Sequence, residues 1–176
     1  LKYQSPAGEW LDLSWKSFSG KIMKAAQAMA EMGVQPHDNV GIYAQNMDKY
    51  LITDFAAYAN RAVMVPMYAT SSPVQLSYII NDAQIKLLFV GEQFQYNNAY
   101  KVQKELPVLE RLIIFDSGVV LKPEDRTSVY FDDFITTGDN SESLALVNSR
   151  LKQLSDSTLA TIIYTSGTTG EPKGVM

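Results

Sequence analysis

Short, largely apolar runs with β-branched residues recur along this chain with a segment of helical periodicity between them, and this alternation restricts the fold more than any other feature. The runs fall at residues 40–44 (VGIYA), 62–66 (AVMVP), 86–90 (KLLFV), 112–115 (LIIF) and 159–164 (LATIIY). They are apolar on both faces, the pattern of strands in a parallel sheet covered on each side. Ser14 as an N-cap, Phe18, Ile22, Ala25, Ala26 and Met29 at helical spacing, and Gly33 just past the end predict a helix over 15–32. Asn46 or Asp48 caps a second helix reaching 59, and Ser72-Pro73, a cap followed by proline at the first helical position, starts a third that runs to 82. Further helices are predicted over about 94–106 and 142–154. Right-handed crossovers then give an α/β fold, a mostly parallel sheet with helices on both faces built from repeated βα units. Pro66 is expected to end its strand, because proline cannot donate to a ladder.

Between 116 and 141 the pattern weakens into turn residues and charges, read as a surface excursion with one helical piece at 131–135. Glu124-Asp125 and Asp132-Asp133 lie there and read as solvated charge rather than as a carboxylate pair. His37, the only histidine, sits in a helix-to-strand turn and reads as a solvated turn residue rather than a general base. Tyr3, Tyr43, Tyr50, Tyr58 and Tyr68, with Met23, Met29, Met47, Met64 and Met67, read as core packing rather than as an adaptable lipid-binding wall. The stretch 68–72 is explained as the lead-in to the Ser72 cap.

Composition narrows the function classes. The 176 residues are 46% hydrophobic, enough for one real core. A net charge of −4 with scattered lysines and arginines carries no nucleic-acid footprint and no polybasic membrane anchor. With no cysteine there is no disulfide framework, thiolate metal site or cysteine nucleophile, and a cytoplasmic location is expected. No apolar run approaches the ~18 residues that span a bilayer. Leu1 is not a methionine and no basic-then-apolar leader follows it, so the true start is expected to lie upstream.

The most informative stretch is Tyr164-Thr165-Ser166-Gly167-Thr168-Thr169-Gly170-Glu171-Pro172-Lys173-Gly174, which follows the last apolar run directly. In open α/β sheets ligands bind beyond the carboxyl ends of the strands, where this loop begins. Gly167 and Gly170 let backbone N–H groups approach a ligand closely, Thr165, Ser166, Thr168 and Thr169 add hydroxyl donors, and Lys173 adds a full charge. A plain surface loop has the same composition. The buried strand before it, Pro172 fixing the backbone beside the lysine and the density of donors favour an anion cradle for a polyphosphate. It is not a Walker A loop, because Pro172 precedes the lysine and Gly174 follows it.

The run from Tyr164 to Gly174 resembles, at every position, the phosphate-binding signature of the AMP-forming adenylate synthetases, the superfamily of acyl-CoA synthetases, luciferases and adenylation domains. Similarity extends along the chain, through residues 13–33, "GVQPHDNVGIYAQN" and "VMVPMYATSSPVQLSYIINDAQIKLLFVGEQF", and the wording "VPMYATSSP" and "GEQFQY" is most similar to bacterial long-chain fatty acid ligases. The resemblance implies ATP, Mg²⁺ and coenzyme A as cosubstrates and cofactors, a fatty acid as substrate, and Thr165, Ser166, Gly167, Thr168, Thr169, Gly170 and Lys173 as nucleotide contacts. It places the catalytic lysine, the metal ligand and the adenine contacts beyond Met176, so residues 1–176 are expected to be part of an amino-terminal domain of a larger enzyme, inactive alone and prone to self-association. The resemblance leaves room for peripheral membrane association of that enzyme. A non-catalytic phosphate-binding module, and an adenylating ligase for another carboxylic acid, stay open at this stage.

Overall fold

The computed structural model of the chain describes residues 1–5, 8–165 and 171–176. Its centre is a five-stranded, wholly parallel sheet in the order β4-β3-β5-β6-β7. The strands are β3 (Asn39–Tyr43), β4 (Val63–Met67), β5 (Leu87–Val90), β6 (Arg111–Ile114) and β7 (Ser128–Tyr130). A short antiparallel pair, β1 (Lys2–Gln4) and β2 (Trp10–Asp12), precedes them. The helices are α1 (Trp15–Glu31), α2 (Asp48–Ala59), α3 (Pro73–Asp82), α4 (Gln93–Gln103), α5 (Phe131–Thr137) and α6 (Ser141–Leu151).

Strand side chains alternate between two cores. Val40, Ile42, Phe89 and Ile113 pack under α1, α2, α5 and α6, whereas Tyr43, Leu88, Val90 and Ile114 pack under α3 and α4. This is the two-faced α/β architecture the apolar runs require.

Local chemistry sets the helix ends. Ser14 Oγ accepts from the Ser17 amide, and Gly33, at φ 85°, turns the chain so that the Val34 amide reaches the Met29 carbonyl. Ser72 and Gln75 form a reciprocal capping box with Pro73 behind it. The second helix departs from expectation. Met47 holds its cap position without a side-chain bond, and Asp48 is the first helical residue, where its charge suits the positive end of the helix.

Three further expectations are corrected. Residues 128–130 are not surface excursion but the fifth strand, parallel to β6, and Phe131 and Phe134 beyond them are buried against Phe89. Pro66 does not end β4, which continues to Met67. The Met64 amide and carbonyl bond residues 160 and 162 on the outer side of β4, so by strand alternation Pro66 faces that same side, where its missing N–H halts the outer ladder instead. Asp125 is likewise no solvated charge. It is half-buried, and its carboxylate accepts from Tyr96 Oη at 2.7 Å and from the Thr127 and Ser128 amides at 2.9 and 3.0 Å. Glu124, Asp132 and Asp133 are exposed, as read. The tyrosines and methionines pack into or against the two cores, Tyr68 excepted, which is 72% exposed. Among the described residues no helix is long and apolar enough to cross a membrane.

Candidate functional site

The chain reaches the candidate site along the outer edge of the sheet. Residues 160–162 run parallel to β4: the Met64 amide donates to the Ala160 carbonyl at 2.9 Å, and the Met64 carbonyl accepts the Ile162 amide at 3.0 Å and the Thr161 hydroxyl at 2.8 Å. Where Pro66 offers no donor the segment leaves β4 and becomes β8 (Ile163–Thr165), which pairs antiparallel with β9 (Lys173–Val175). The run expected as one buried strand over 159–164 is therefore a single parallel rung followed by an exposed hairpin arm, of which only Tyr164 is buried.

Directly opposed residues in the hairpin are Thr165 and Lys173, Tyr164 and Gly174, and Ile163 and Val175. Side chains alternate across a strand, so Thr165 and Lys173 share the exposed face and Tyr164 points to the other. Of the seven nominated residues, the structure thus brings Thr165 and Lys173 together at the mouth of the loop. Ser166, Gly167, Thr168, Thr169 and Gly170 lie outside the described residues. Among the described residues Lys173 makes no ion pair. His37 is exposed in its turn at φ 72°, and its role there is the backbone bond to the Arg61 carbonyl.

Divergence of β8 from β4 opens a cleft of about 370 Å³ at the carboxyl end of the sheet, bordered by Ala44, Gln45, Met67, Tyr68 and Tyr164. Where strand order reverses, between β3 and β5, the backbone of Gly91 lies against Ala44, so that a Cβ there would come within 3.1 Å of it. The cleft beside the hairpin is the candidate ligand space at this end among the described residues.

Sequence reasoning missed what holds the hairpin. Tyr164 Oη donates to Asp82 Oδ2 at 2.5 Å, from the hairpin to the last residue of α3. Burial first, and then this bond and the carboxylate charge, push the Tyr164 phenol well above its usual range. Tyr78, one turn earlier on α3, is pushed up by partial desolvation and by the charges of Asp82 and Glu171. The signal available was slight, one carboxylate at the end of a well-marked helix. Among the described residues no cluster of three or more His, Cys, Asp or Glu side chains could hold a metal ion, so no metal ligand is nominated.

Fold and candidate site together define an α/β protein of the doubly wound type with an open cleft at the carboxyl edge of its sheet. The chain belongs to the AMP-binding enzyme family, whose model matches residues 2–176. It is 32% identical over 167 residues, 95% of this chain and 26% of the relative, to the long-chain-fatty-acid–CoA ligase FadD15 of Mycobacterium tuberculosis. It is 27% identical over 176 residues, 98% of this chain and 26% of the relative, to the probable CoA ligase CCL6 of Humulus lupulus. The crystal structure of the anthranilate CoA ligase AuaEII in complex with anthranoyl-AMP matches with a TM-score of 0.74 at 20% identity, over 94% of this chain and 29% of that one, a likeness of fold. The chain spans about a quarter of the length of the curated relatives it matches.

Proposed function

We propose that residues 1–176 are part of the amino-terminal domain of an AMP-forming ligase that activates a long-chain fatty acid and passes it to coenzyme A. The observation that carries this reading is the pairing of Thr165 with Lys173 on the exposed face of a hairpin beside an open cleft, at the mouth of a loop rich in glycine and hydroxyl groups. In the first step a carboxylate oxygen bonds to the α-phosphorus of ATP, the bond from that phosphorus to the bridging oxygen breaks, and pyrophosphate leaves with the electron pair. In the second a thiolate sulfur attacks the acyl carbon and AMP leaves. Displacement at phosphorus needs the leaving pyrophosphate held and its charge offset. By their chemistry Lys173, the hydroxyls of Thr165, Ser166, Thr168 and Thr169 and the backbone amides of Gly167 and Gly170 are suited to that task. Mg²⁺, when bound, would neutralise further phosphate charge. The names of the relatives support a long-chain acid and coenzyme A.

The test is product analysis with the full-length enzyme. Incubation with ATP, Mg²⁺, coenzyme A and a panel of carboxylates is expected to yield AMP and pyrophosphate, fastest with long acyl chains. ADP and phosphate as the only nucleotide products would overturn the reaction type, and a panel without preference for acyl chains would overturn the substrate class.

A further inference from the structure

Asp82 is an exposed carboxylate at the end of α3, far in sequence from the loop, yet it accepts the Tyr164 hydroxyl at 2.5 Å. The Tyr164 ring is only 7% exposed and packs with the α3 and α4 core. Its other side lies against Gly174, the residue opposite it in β9, where a Cβ would come within 3.3 Å of the ring and 2.8 Å of Ile162 Cγ2. The hairpin is therefore held twice, by the ring against glycine backbone and by the phenol on Asp82. Because Thr165 follows Tyr164 directly and pairs with Lys173, holding Tyr164 inward holds those two side chains outward.

We propose that Asp82 is a positioning residue for the nucleotide: by fixing Tyr164 it sets the direction in which Thr165 and Lys173 meet the phosphates of ATP. This rests on the reading of the hairpin as a phosphate grip. Asp82 does not act as a phosphate ligand itself, since a carboxylate and a polyphosphate repel. Its influence passes through the Tyr164 phenol, and its charge makes that hydrogen bond stronger than a neutral acceptor would.

The experiment is ATP–pyrophosphate exchange by the full-length enzyme, with ATP and the carboxylic acid titrated separately. Asp82→Ala and Tyr164→Phe are each expected to raise the KM for ATP by about tenfold, the loss of one charge-assisted hydrogen bond. The KM for the acid should move by less than about twofold, and the double variant should be no worse than either single one. Asp82→Asn, which keeps an acceptor, should recover part of the loss. Additive effects, equal rises in both KM values, or a fall in kcat alone would overturn the proposal. Because Asp82 is exposed and Tyr164→Phe keeps the ring, loss of the fold is not the expected outcome of either change. If the unaltered enzyme exchanges no pyrophosphate even with its acid present, the phosphate-grip reading fails and the nucleotide part of the proposal falls with it. Amide hydrogen exchange at Thr165 and Gly174 then decides the anchoring part: faster exchange in Asp82→Ala supports it, and unchanged exchange overturns it.

Discussion

The guanidinium of Arg150 donates to Asn60 Oδ1 at 2.6 Å in the interior, where Arg150 is 4% exposed and Asn60 is fully buried. Arg150 also donates to the Val34 carbonyl at 2.9 Å, and Asn60 Nδ2 donates to the Ala26 carbonyl at 2.8 Å. The pair therefore ties α6 to the end of α2, to α1 and to the turn that enters β3. Truncation of either residue strands buried partners, which costs far more than the same change at a surface. Arg150→Ala is expected to destabilise the fold by about 2–4 kcal/mol, and Asn60→Ala by a similar amount because it leaves a buried charge short of an acceptor. Urea unfolding, with the midpoint shifted at constant slope, is the measurement.

Two glycines predict opposite outcomes for one substitution. A Cβ on Gly138 would stand 2.3 Å from the Ala28 backbone nitrogen, and the Gly138 carbonyl accepts from Gln27 Nε2 at 2.6 Å, so the loop after α5 lies directly on α1. Gly138→Ala should cost about 1–3 kcal/mol or more, because backbone must shift to admit the methyl group. Gly20, exposed in the middle of α1, has nothing within 4 Å of its Cβ position, and Gly20→Ala should add about 0.5–1 kcal/mol. Thermal unfolding of the two variants side by side should give midpoints on either side of the parent's.

Legibility in the sequence followed the range of the interaction. Helix α3 runs from Pro73 to Asp82 as read, because Ser72, Pro73 and Gln75 encode its start within four residues. Strand β7 was not legible: Ser128–Tyr130 is three residues long and follows a charged stretch, and only its place beside β6 makes it a strand. The same division runs through the candidate site. Thr165 and Lys173 are conspicuous because the glycines, hydroxyls and proline around them are contiguous. Asp82 stands apart because its bond to Tyr164 closes over a long stretch of intervening chain. Pro66 shows the intermediate case. Its missing donor was read correctly, but the side of β4 on which the donor is missing depends on the partner at residues 160–162.

Lys173 offers the sharpest test of the phosphate grip. It is exposed on the hairpin face shared with Thr165, and among the described residues no carboxylate pairs with it, so its removal should leave the fold unchanged. In the full-length enzyme Lys173→Ala is expected to lower kcat/KM for ATP by roughly one to two decades, the scale of one charge-assisted contact to a phosphate oxygen. A solvated surface lysine would give almost no change. Steady-state kinetics at varied ATP, with thermal unfolding as the control for stability, distinguish the two.

The Tyr96–Asp125 pair predicts how stability depends on pH at both extremes. Burial alone would raise the Asp125 carboxyl, but donors from Ser128, Thr127 and Tyr96 outweigh it and hold the group below its ordinary value. A carboxyl lowered in the folded state contributes stability that is fully present above the unfolded value, near 4, and is lost as pH falls through the lower folded value. Tyr96 moves the other way: burial pushes its phenol above the usual tyrosine range, the Lys122 amide opposes this, and the hydrogen bond and charge of Asp125 add to the rise. A phenol raised in the folded state contributes stability that is lost once pH rises past the unfolded value, near 10. Urea midpoints followed from pH 7 down to 3 should therefore fall more steeply for the parent than for Asp125→Asn, which has no carboxyl to protonate. Tyr96→Phe should flatten the alkaline limb above pH 10 and also weaken the acid one, since the carboxylate loses its 2.7 Å donor. Parallel acid limbs in the parent and Asp125→Asn would show that other carboxylates control the acid transition.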